Sequence, residues 1–104
     1  MNTEYATKVA KLNDAFRRSG SGVMVTLGVQ TLEDLSGLID AVRRFSDFTK
    51  NNDPYGEHDF GSIVWYDEKV FWKIDYYDQK LEYGEEPLSP KCKRVMTVML
   101  ASEY

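Results

Sequence analysis

The sequence predicts a single α+β domain over residues 1–104, with three helices on a small antiparallel sheet built around a central hairpin. Three observations carry that expectation. Apolar residues recur at helical spacing in 3–18 and again in 31–45. Residues 60–77 alternate in the manner of two strands joined by a tight turn. Ser89–Pro90 has the form of a helix start, a capping Ser followed by Pro at the first helical position. The expected order is α-β-α-β-β-α.

In the first helix Tyr5, Val9, Leu12 and Phe16 fall on one face. Asn2 or Thr3 caps its start, Gly20 supplies the left-handed stop, and Gly22 follows. Val23–Leu27 reads as a short strand. Thr31 with Asp34 resembles a capping box opening a second helix, whose apolar face is Leu35, Leu38, Ile39, Val42 and Phe45. Arg43 and Arg44 lie in its last turns, where cations favour the helix dipole.

Residues 49–59 read as a loop punctuated by Pro54 and Gly56. Phe60–Tyr66 and Lys69–Tyr77 then form a hairpin turning at Asp67–Glu68, which pairs Trp65 with Val70, Ile63 with Trp72 and Gly61 with Ile74. One hairpin face is wholly apolar or aromatic: Ile63, Trp65, Val70, Trp72, Ile74 and Tyr76. The other is mixed, with Phe60, Phe71, Lys73, Asp75 and Tyr77 among its members. Residues 78–88 are polar and read as a surface loop. In the final helix, Val95, Met96, Met99 and Leu100 make the buried stripe, and Lys91, Lys93 and Arg94 lie on the solvated side.

The charge is local. Residues 52–87 hold nine of the 14 aromatic residues and ten of the 17 acids. Only Lys69, Lys73 and Lys80 oppose those acids, which leaves the segment near −7. Residues 1–51 balance six acids against seven bases, and 88–104 carry one acid against three bases. Such a surface suits a protein partner or a basic groove and is wrong for a phosphate backbone, so direct nucleic-acid binding is not expected. No apolar run approaches the length of a bilayer span, and the N-terminus has no signal-peptide pattern, so a cytoplasmic, membrane-free protein is expected. The single Cys92 excludes an internal disulfide and reads as a small core residue.

The blocks NDPYGEHDFG (52–61), FWKIDYYD (71–78) and VMLASEY (98–104), with LNDAFRRSG (12–20), resemble the signature of an uncharacterised family of short proteins from alphaproteobacteria and their plasmids and phages. The resemblance implies a stand-alone domain and a home on mobile elements. It identifies no catalytic residue.

His58 is the only histidine and lies between Glu57 and Asp59. With Asp53, Asp75 or Asp78 it offers an acid–base or metal constellation, but no HExxH or EF-hand spacing accompanies it, and the expected role is to hold the loop. No cofactor, metal site or catalytic residue is assigned. Trp65 and Trp72 read as core. The expected function is a non-enzymatic protein-binding module whose acidic, aromatic face comprises Tyr55, Glu57, Phe71, Asp75, Tyr77, Asp78 and Glu82. Carboxylates on a rigid sheet can imitate phosphates in a basic channel. On a mobile element that suits an inhibitor of a host nucleic-acid-handling or defence complex, of the anti-CRISPR kind. The alternatives are a small hydrolase-like enzyme using His58 with nearby carboxylates, and a homo-oligomeric module, such as a homodimer, pairing through the mixed face.

Overall fold

The computed structural model describes residues 3–104. Helix α1 spans Thr3–Ser19, strand β1 Val23–Val25, a one-turn helix α2 Leu27–Gln30, and helix α3 Leu35–Arg43. Strands β2 (Phe60–Trp65), β3 (Glu68–Tyr77) and β4 (Lys93–Leu100) follow, and a 3-10 turn at Ala101–Glu103 closes the order. The chain is α+β. Its sheet runs β1-β4-β3-β2 and is mixed, because β1 lies parallel to β4 while the other pairs are antiparallel.

The α1 start is Thr3; Asn2, the other candidate cap, lies outside the described residues. The buried face of α1 is Ala6, Val9, Ala10, Asn13 and Arg17, while Leu12 is exposed. The helix is thus rotated away from the stripe its apolar residues suggest, because two polar side chains occupy interior positions. The left-handed conformation beyond α1 belongs to Gly22 (φ 84°) and not to Gly20.

The second helical region is split. Thr26 caps α2, with its hydroxyl accepting from Val29 N, and Thr31 ends that turn. Asp34 caps α3 by accepting from Gly37 N at 3.1 Å. The expected inner face survives: Leu38 and Val42 are fully buried, and Leu35, Ile39 and Phe45 pack against the same core.

The hairpin turns at Tyr66 and Asp67, both with positive φ (49° and 68°), as a tight two-residue turn requires. Trp65 pairs with Glu68, Ile63 with Val70 and Gly61 with Trp72. This register is offset by two residues from the expected one. Strand side chains have a period of two, so the offset leaves each one on its expected face. Val70 and Trp72 are fully buried and Ile74 nearly so, facing Val29, Leu38, Val42, Met96 and Val98. Gly61 lets the Trp72 ring lie against β2, since a Cβ there would come within 2.3 Å of Trp72 Nε1.

The last element is the main correction. Residues 93–100 form a strand and not a helix, in the centre of the sheet between β1 and β3. The apolar residues of RVMTVML fit either period. β-branched Val95, Thr97 and Val98 favour the strand, and two ladders reward it there. Met96 and Val98 face the helices, and Met99 is buried on the opposite side beside its cross-strand partner Phe71. Ser89 and Pro90 belong to a turn, with Ser89 N donating to Glu86 O and Cys92 N to Ser89 O. Lys93 and Arg94 therefore open β4, and Cys92 is half-buried beside it. No helix among the described residues is long and apolar enough to cross a membrane.

Candidate functional site

Two constellations lie near the 49–59 loop, one on each side of the sheet. The inner one begins with α1. Asn13 is fully buried, and its amide donates to Glu57 O (2.9 Å) and Tyr76 Oη (2.8 Å) while its carbonyl accepts from Arg94 Nε (2.7 Å). Arg94 also donates to Pro87 O and lies over the Tyr76 ring. One turn on, the Arg17 side chain is fully enclosed. It donates to Asp14 (3.0 Å) and to Phe45 O (2.9 Å), and it lies over the rings of Phe48 and Trp72. Burial disfavours its charge, and the Asp14 carboxylate opposes that.

His58 closes this network. Its Nδ1 lies 3.0 Å from Asp14 Oδ1 and donates to that carboxylate, while Nε2 stands 3.6 Å from Asp53 Oδ2. Its ring stacks on Phe48 with centroids 3.8 Å apart. The backbone of His58 is left-handed (φ 56°), and His58 N donates to Asp53 Oδ1. A non-glycine residue holds that conformation only when its surroundings fix it, and here both ring nitrogens and the amide face carboxylates. The arrangement ties the loop to α1. Among the described residues no group of three or more His, Cys, Asp and Glu side chains is arranged to hold a metal ion.

The outer constellation lies on the helix-free face. Phe60, Phe71 and Tyr104 form an aromatic cluster with centroids 5.1–5.9 Å apart. Lys73 pairs with Asp75 at 3.0 Å, and that bond with the Asp75 charge raises the lysine pKa. Beside them the loop and sheet enclose an open cleft of about 380 Å³ lined by Asp53, Tyr55, Asp59, Lys73, Asp75 and Tyr104, among others. Tyr55 and Tyr104 are largely exposed, at 65% and 75%. Asp59 bridges the two sides: it lines the cleft and accepts from Tyr76 Oη at 3.5 Å. Burial and then the Asp53 charge raise its pKa, and burial with the Asp59, Asp53 and Glu86 charges raises that of Glu57.

Tyr104 reaches the cluster through its neighbour. The Glu103 carboxylate accepts from Thr26 Oγ1 (2.6 Å), Leu100 N (2.7 Å) and Gly28 N (3.2 Å), and these bonds lower its pKa, the Thr26 bond most.

The residues expected to form one face are therefore divided. Tyr55, Phe71 and Asp75 come together on the outer side. Tyr77 is half-buried farther along the same face, opposite Lys93 and bridged to Gly84. Asp78 holds the next loop by accepting from Lys80 N and Glu82 N, and exposed Glu82 sits in that loop. Glu57 belongs to the α1 side, where its carbonyl meets Asn13. Asn13, Asp14, Arg17 and Arg94 are not legible as a group from sequence. The one signal is that Asn13 and Arg17 continue the Ala6, Val9, Ala10 stripe at helical spacing.

Against known families, residues 25–103 match DUF3768, described as a protein of unknown function. The chain belongs to that family. No curated protein and no solved structure matches it. The DUF3768 span takes in the whole hairpin, the His58 loop, β4 and the Glu103 clasp; α1, with Asn13, Asp14 and Arg17, lies before it.

Proposed function

We propose that the chain is a non-enzymatic protein-binding module that engages a basic partner through the outer sheet face and its cleft. The observation that supports this best is the exposure of Tyr55 and Tyr104 around one open cleft that Asp59 and the Lys73–Asp75 pair also line. Aromatic side chains at the rim of a rigid sheet make strong contact anchors, and carboxylates beside them steer a cationic partner. The narrower reading is an inhibitor. Carboxylates at fixed spacing compete with phosphates for a basic nucleic-acid groove, and a host defence complex on the receiving side is the form that suits a mobile element.

The enzymatic alternative is weakened by His58. Nδ1 is taken by Asp14, Nε2 faces Asp53, one ring face is covered by Phe48, and the residue is not among those lining the cleft.

The test is capture of the partner from the native host followed by affinity measurement. Tyr55→Ala with Tyr104→Ala should weaken binding about tenfold or more as lost anchors. Asp75→Lys with Glu82→Lys should slow association, most of all at low salt, where exposed charges act over about 10 Å or more. Asp78 is left intact because it holds its own loop. Unchanged affinity in both double variants, at low and high salt, refutes the proposal.

A further inference from the structure

The outer edge of β2 is the longest open strand edge in the sheet. β2 is the last strand in the order β1-β4-β3-β2, and β1 at the other edge has only three residues. In a hairpin with a two-residue turn, the residues flanking the turn exchange both backbone bonds, and every second residue after them does the same. Trp65, Ile63 and Gly61 therefore bond to β3, a phase continued by Ile74 N donating to Asp59 O at 2.9 Å. Phe60, Ser62 and Val64 turn their N–H and C=O groups away from β3. Among the described residues no strand lies beyond them. Ser62 and Val64 are also exposed in their side chains.

Soluble proteins protect such an edge with a charge, a proline or a bulge. The strand FGSIVW has no charge and no proline, and its pairing with β3 runs without a bulge from Phe60 to Trp65. The acids nearest its ends are half-buried Asp59 before it and exposed Asp67 and Glu68 in and after the turn, with Lys69 next to them; the Asp53 carboxylate is turned to His58. A second copy of this chain pairing antiparallel would set Asp59 against Asp67 at both ends, and pairing parallel would set each acid against itself. Like charges directly opposed destabilise a strand pair. Charge complementarity selects a different occupant.

We infer that β2 accepts an extended segment of a protein partner as a fifth strand, one with an uncharged β-rich centre and Lys or Arg at both ends. Main-chain bonds to Ser62 and Val64 supply affinity, and the flanking acids supply selectivity. The inference rests on the protein-binding reading above, since the outward side chains of the added strand would extend the face that carries Phe60 and Phe71.

The test uses the full isotope-labelled chain and the peptide Lys-Lys-Val-Thr-Val-Thr-Val-Lys-Lys. Binding should slow hydrogen exchange at the Ser62 and Val64 amides and leave the already paired Ile63 amide unchanged. The same peptide N-methylated at every valine and threonine, or with glutamates replacing its lysines, should bind at least about tenfold more weakly. Ser62→Pro should abolish binding while leaving the fold intact, because the Ser62 N–H does not serve β3. Should that variant not fold, the N-methylated peptide decides the same question on the wild-type chain. No binding at millimolar peptide, equal binding of the N-methylated form, or a peptide-free dimer protecting Ser62 and Val64 would overturn the inference. The captured native partner separates the two readings. Unchanged affinity in Ser62→Pro with loss in Tyr55→Ala, Tyr104→Ala sinks the added strand alone. The reverse pattern sinks the proposed face alone.

Discussion

The two sides of the 49–59 loop use the same residue types to opposite ends. On the inner side Asn13, Arg17, His58 and Arg94 have carboxylate, amide or carbonyl partners within the chain. On the outer side Tyr55 and Tyr104 stand in solvent beside a cleft lined by Asp59 and the Lys73–Asp75 pair, while Asp53 at its edge turns its carboxylate to His58. Buried polar groups bonded to one another specify the structure, whereas exposed aromatic rings are available to a partner. His58, the residue the enzymatic alternative invokes, lies with the inner network, facing Asp14 and Asp53.

The contrast breaks most readily at Arg17. Arg17→Ala leaves Asp14 without its enclosed partner and empties the space over Phe48 and Trp72, so unfolding free energy should fall by about 3–5 kcal/mol. A denaturant titration checks this, and a loss under about 1 kcal/mol would show that the network contributes little. His58→Ala should cost about 1–2 kcal/mol through its lost bond to Asp14. Affinity for the captured partner, measured well below the melting temperature, should not change. Loss of function at unchanged stability would move His58 to the working side.

Asp59 sharpens the comparison because it touches both sides. Its folded-state pKa is raised, so the folded state holds a proton more tightly than the unfolded chain. Stability from this group is therefore greatest below the ordinary aspartate value near about pH 4 and declines as pH rises through the folded-state value. Asp59→Asn should remove that decline and raise the melting temperature slightly at neutral pH. A lower melting temperature at pH 7 would mean that the Tyr76 bond outweighs the buried charge. Tyr104→Ala has the smallest expected effect on folding, within about 0.5 kcal/mol, because the ring is largely exposed. A larger loss would make the aromatic cluster a second core.

How much is legible from the sequence follows the same division. The α3 face and the inner hairpin face are readable because their apolar residues recur at one period with no charged intruder. The α1 face is misread by a rotation, since hydrophobicity points to Leu12 while the fold buries Asn13 and Arg17 for partners that lie 44, 81 and 28 residues away. β4 is misread because Val95, Met96, Met99 and Leu100 satisfy a helix as well as a strand; only the neighbouring β1 and β3 decide between them. At the site, Tyr55, Phe71 and Asp75 are legible as one surface. Tyr104 is not, because the bonds from Glu103 to Thr26 and Gly28 that deliver it are tertiary.

The position of β4 has a consequence for how the chain is made. The strand emerges after β1, β2 and β3 yet takes its place between β1 and β3. During synthesis the hairpin and the three-residue β1 wait with nothing joining them. The most extensive strand pairing in the sheet, that of β3 with β4, forms only when residues 93–100 arrive, so folding should be late and nearly all-or-none. A nascent chain halted before Lys93 would present both edges of the hairpin at once and should depend on chaperones or be degraded.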